Sequence, residues 1–141
     1  MKIYTTYGVK IKHYNHIFKD TVSIYRHAVD YLISVCLNNW DDISVLNSFN
    51  RLKYVETLTH STKDNPNPKY DFDSRFYKLP SYLRRSAINE AIGKVCSYKS
   101  NLANWKEDPV GKEPSYPKAG SAFQENVVLW KITSMILWKM F

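Results

Sequence analysis

Apolar side chains recur along this chain in two periods. Over residues 2–12, Lys-Ile-Tyr-Thr-Thr-Tyr-Gly-Val-Lys-Ile-Lys, β-branched and aromatic residues dominate, and Val9 and Ile11 alternate with Lys10 and Lys12. Alternation of that kind predicts a strand. From about His16 to Asn38 the period lengthens: Phe18, Val22, Tyr25, Val29, Leu32 and Cys36 recur at spacings of three and four, opposed by Lys19, Ser23, Arg26 and Asp30. This is the stripe of a long amphipathic helix. Asn38-Asn39 weakens it and Trp40 covers its end. Asp41 or Asp42 can then cap a second helix from about Ile43 to Leu58, with Leu46, Phe49, Leu52 or Lys53, Val55 and Leu58 inward.

Residues 61–75 carry two prolines among Asn and Asp residues without a period, which predicts an irregular connector. A third helix is marked at its start by Pro80, which suits a first turn, and by Ser81, whose hydroxyl can satisfy an unpaired amide there. Its stripe runs from Tyr82 or Leu83 through Ala87, Ala91, Val95, Tyr98 and Leu102 to Trp105, and Pro109 stops it. Residues 109–120 hold three of the six prolines and two of the four glycines, so an extended or turning segment follows. The end, Val127 to Phe141, is apolar at 11 of 15 positions with no acid. It is too short to span a bilayer, and no run of 18 apolar residues occurs elsewhere.

The predicted fold class is mainly α: three helices packed through their aromatic stripes, with a small β element from the N-terminal strand and residues 116–130. Leu32, Phe49, Leu52, Leu83, Ala87, Val95 and Trp105 are the expected core. At 141 residues the chain can form one ordinary domain, though it could equally be part of a longer protein. Cys36 and Cys96 lie within apolar helical patterns and read as buried free thiols, and nothing at the start resembles a secretory signal, which points to the cytoplasm.

Charge narrows the function. Lys and Arg outnumber Asp and Glu by 20 to 13, a net charge of +7 that favours phosphate backbones or anionic surfaces. The third helix concentrates the signal: Arg84, Arg85, Lys94 and Lys99 lie between its apolar positions, with Glu90 the one acid among them. Arg84 and Arg85 can fork onto phosphates while Tyr82 stacks on a base or sugar; the plainer account is two solvated arginines. Lys94 and Lys99 could extend the track, although they fall in different angular sectors. Lys2, Lys10 and Lys12 could line a groove, or protect a strand edge. His13 and His16 have a metal-compatible spacing, but nothing supplies further ligands. Asp64, Asp71 and Asp73 lack the glycine and terminal glutamate of a calcium loop and read as solvated charge. No catalytic triad signature, metal site or cofactor motif stands out.

The basic N-terminal strand, the helix Phe18-Lys-Asp-Thr-Val-Ser-Ile-Tyr-Arg-His-Ala-Val-Asp-Tyr-Leu-Ile, the run Tyr82-Leu-Arg-Arg-Ser-Ala-Ile-Asn-Glu-Ala-Ile-Gly-Lys-Val, the tryptophan at the helix end and the Gly/Pro-rich exit follow one another in order. Together they resemble the start of the OrfB/TnpB-type insertion-sequence transposases, RNA-guided endonucleases related to type V CRISPR effectors. The resemblance implies a first strand of a wedge-like barrel at residues 1–12, a helical recognition-like region at 13–106, a return to the wedge at 107–123, and a divergent apolar tail at 124–141. It also implies guide RNA or target DNA as partners through backbone contacts. The family's nuclease needs separated carboxylates for two metals, and its zinc ribbon needs paired CxxC motifs; this sequence shows neither. The expectation is therefore a truncated or frame-shifted nucleic-acid-binding fragment that does not cut. The alternative is a small helical interaction or regulatory module of a mobile element, docking through residues 127–141.

Overall fold

The structure, a computed structural model, describes residues 12–13 and 15–119. Five helices follow one another: α1 (Ile17–Asn38), α2 (Trp40–Ser44), α3 (Ser48–Thr59), α4 (Phe72–Arg75) and α5 (Ser81–Glu107). The protein is mainly helical, and no strand occurs among the described residues. The expected N-terminal strand falls almost wholly outside them. Of the second expected β segment, residues 116–119 are described, and they form no strand.

Helices α1 and α5 form the spine. The predicted α1 stripe is the buried one: Val22, Tyr25, Val29, Leu32 and Cys36 are 5% exposed or less, with Phe18 packed at the edge. From α5, Leu83, Ala87, Ala91 and Val95 meet them, joined by Ile88 and Ile92. Burying the Val, Leu and Ile side chains among these contributes about 1.5–3 kcal/mol each, the alanines less. Beyond Val95 the α5 stripe leaves the core, and Tyr98, Leu102 and Trp105 are only half-buried. The chain itself covers part of that end. After a turn at Gly111, whose φ of +80° lies in the left-handed region glycine tolerates, it runs back along α5. Trp105 Nε1 donates to Gly111 O at 3.4 Å, the Tyr98 and Tyr116 rings lie 6.2 Å apart, and Ala119 N donates to Asp30 Oδ1 on α1 at 2.6 Å.

The second predicted helix is two helices. Asn47 caps α3 by accepting from Asn50 N at 2.9 Å. The carbonyls left open where α2 ends are taken by one side chain: Arg51 Nε donates to Leu46 O at 2.8 Å and Ile43 O at 3.1 Å, and an Arg51 terminal nitrogen donates to Ser44 O at 3.0 Å. A helix end supplied in this way has its orphan groups satisfied. The break re-phases α3, so Val55 and Thr59 face the core while Phe49, expected inside, is 66% exposed. Leu52 is half-buried.

Two further expectations need correction. Pro80 itself is the cap residue of α5, its carbonyl accepting from Arg84 N at 2.9 Å, and Ser81 makes no capping bond. The connector is also not featureless, because α4 sets Phe72 into the core beside Tyr31 and Phe76, with ring centroids 4.8–6.0 Å apart. Asn39, 7% exposed, closes α1 by donating from Nδ2 to Val35 O and Tyr70 Oη and accepting from Lys69 Nζ. No helix among the described residues is long and apolar enough to cross a membrane.

Candidate nucleic-acid interface

Phe49, Lys53 and Glu56 are spaced four and three apart, so they share one side of α3. The ring of Phe49 is exposed, and Lys53 Nζ stands 4.5 Å from its centroid. On α5, Tyr82 and Arg85 are likewise one turn apart, and Tyr82 is 58% exposed. Glu56 joins the two helices. Arg85 Nε donates to Glu56 Oε1 at 3.0 Å, and Arg84 Nη2 lies 3.8 Å from the same oxygen.

The two arginines are not equivalent. The Arg84 side chain is 13% exposed and its Nε is buried with no hydrogen-bond partner, whereas the Arg85 side chain is 62% exposed. Arg84 therefore does not stand open to a phosphate as the sequence suggests; the helix phase turns it toward α3 and Glu56. Arg85 keeps most of its surface available despite its ion pair. Around one carboxylate the cluster gathers Arg84, Arg85 and, one turn along α3, Lys53, leaving an excess of positive charge on helices that each carry an exposed ring one turn from a cation.

The other expected binding residues are dispersed. Lys94 lies 4.0 Å from Glu90 Oε1 on its own helix. Lys99 is half-buried and Lys12 is exposed, while Lys10 lies outside the described residues. Glu90 is fixed from its other side: Tyr25 Oη donates to Glu90 Oε2 at 2.8 Å. Burial, with the charge of Glu90 adding to it, pushes the Tyr25 phenol well above its usual range. Burial alone raises the Cys36 thiol to about 12, so it is an inert packing group. Cys96 is half-buried, and both cysteines are free.

Sequence reasoning missed Lys53 and Phe49 as surface residues, although their i, i+4 spacing was legible. It also missed a role for Asp73, read as solvated charge. Asp73 Oδ2 lies 2.8 Å from His60 Nδ1 and accepts from Ser61 N at 2.9 Å, pinning the end of α3 to α4. His13 and His16 are exposed, and no group of three or more potential metal ligands occurs among the described residues.

Residues 5–134 match the Aq_aa04 family. The chain belongs to that family. The Aq_aa04 match embraces all five helices and extends past Gln124, so residues 124–134 of the apolar tail lie within the family's span. Over 75 residues the chain is 47% identical to the uncharacterized protein aq_aa04 of Aquifex aeolicus (strain VF5), an alignment covering 50% of this chain and 40% of that protein. The aligned part thus spans well under two thirds of that relative's length. No solved structure matches the chain.

Proposed function

We propose that this chain is a nucleic-acid-binding portion of an OrfB/TnpB-type, transposon-encoded RNA-guided endonuclease, gripping guide RNA or an RNA–DNA hybrid through its backbone without cutting it. In this reading residues 13–106 serve as a three-helix recognition-type region. The order of sequence elements described above supports the assignment, as does the net charge of +7.

The observation that carries it is the Lys53, Arg84 and Arg85 cluster around Glu56, with the exposed Phe49 and Tyr82 one turn from Lys53 and Arg85 on their helices. Cations that neutralise phosphates beside rings on which bases stack are the ordinary means of holding a strand without reading its sequence. Arg85 and Lys53 supply the contacting charge. Arg84, less accessible, holds Glu56 in place.

Fluorescence anisotropy with a labelled single-stranded RNA, titrated at increasing potassium chloride, tests this. The intact chain should bind at low salt and lose affinity steeply as salt rises. Replacing Lys53 and Arg85 together with alanine should lower the log–log slope by about 0.7 for each phosphate no longer neutralised. Absence of low-salt binding by the intact, folded chain refutes the proposal.

A further inference from the structure

Away from that cluster, the segment returning along α5 borders a shallow, open groove of about 440 Å³. Gly93 lines it, and an added Cβ there would meet nothing within 4 Å. Lys94 and Ser97 line it from the helix, and Ser115 and Lys118 from the returning segment, with Tyr98, Glu90 and Pro117 completing the lining. Tyr98 is paired with Tyr116, which is 54% exposed.

The charges do not balance within the groove. Glu90 is the only acid in its lining, and its Oε2 is already occupied by the Tyr25 hydroxyl. Its other oxygen is 4.0 Å from Lys94 Nζ, the outer limit of an ion pair, which leaves ammonium protons of Lys94 open to another acceptor. Lys118 is exposed and makes no ion pair among the described residues. Two lysines against one carboxylate leave the lining with a net positive charge. A serine hydroxyl on each wall offers a donor to an anion.

We propose that this groove holds a phosphate group of a polynucleotide backbone, between Lys94 and Lys118 with Ser97 and Ser115 donating, and that it is a second binding point separate from the Glu56 cluster. The exposed face of Tyr116 then stands where a base adjoining that phosphate can stack. The proposal rests on the nucleic-acid reading above. It adds a location, a ligand class and a role for the returning segment, which becomes one wall of the binding surface.

The same RNA titration separates the two ideas. Lys94→Gln with Lys118→Gln should lower the salt slope by about 0.7, the value for one phosphate on a single strand. Gly93→Leu adds bulk to the lining without altering charge and should weaken binding severalfold, with circular dichroism confirming that each variant keeps its helix content. If the intact chain binds and loss of Lys53 and Arg85 lowers the slope, yet the groove variants bind like the parent, the groove proposal is wrong and the broader reading stands. If the intact chain binds no strand at low salt, both fall.

Discussion

Arg85 Nε donates to Glu56 Oε1 across 3.0 Å, tying the first turns of α5 to α3 with a side chain that is still 62% exposed. The Arg85 side of this bond is open to exchange, whereas the Glu56 side chain is only 17% exposed. Glu56 then competes with any incoming phosphate for the same guanidinium. Glu56→Gln should tighten RNA binding while leaving the set of phosphates neutralised, and hence the salt slope, nearly unchanged. Arg85→Ala should do the reverse, weakening binding with a melting temperature close to the parent's. Weaker binding by Glu56→Gln, with its fold intact, would show that the carboxylate assists binding instead of opposing it.

Phe49 and Leu83 are both large apolar residues that the sequence pattern places inside, and the structure separates them. Leu83 is 1% exposed and Phe49 is 66% exposed. Leu83→Ala should cost about 2–5 kcal/mol in urea unfolding, whereas Phe49→Ala should change stability by only about 0.5 kcal/mol and act instead on RNA retention. Equal destabilisation by the two would contradict the break between α2 and α3.

Gly93 sits mid-helix with open space around it. Gly93→Ala should raise stability by about 1 kcal/mol, because glycine is that much poorer than alanine in a helix interior. A thermal melt followed at the helical circular dichroism band reads this directly. A fall in melting temperature would mean that the groove at Gly93 is closed to even one methyl group.

Alkaline pH should unfold the protein through two buried acids. Burial raises the Cys36 thiol from 9.0 to about 12 and lifts the Tyr25 phenol above 10.0. Above their ordinary values the unfolded chain releases protons that the folded chain retains, so this stability is intact below about pH 9 and lost as pH rises toward the folded values. Each group lowers stability by about 1.4 kcal/mol per pH unit over its own window. Urea midpoints taken upward from neutral pH should fall from about pH 9, and Cys36→Ala and Tyr25→Phe should each flatten that fall. Curves with identical alkaline slopes in parent and variants would argue that neither side chain is buried as described.

The long helices were legible because their cores repeat with one period. Val22, Tyr25, Val29, Leu32 and Cys36 can all face inward only on a helix, and α1 runs to Asn38 as its stripe requires. The interruption at Val45–Asn47 was not legible, because the apolar series Leu46, Phe49 and Leu52 continues through it. What decides the break is tertiary: Arg51 reaching back to the carbonyls of Ile43, Ser44 and Leu46. The same limit applies to the basic helix. Its cations could be counted from sequence, but which of them faces Glu56 depends on a partner 28 residues before Arg84 in the chain and absent from any local pattern. The groove lay further from view still, since its second wall exists only because the chain doubles back after Gly111.

That doubling back has a mechanical consequence. Ala119 is fastened to Asp30, one of the residues in the middle of α1, and not left trailing from the last turn of α5. Tension applied at residue 119 therefore bears first on a lateral clip against the helix pair, and α5 cannot be peeled from its C-terminal end until that clip has given way.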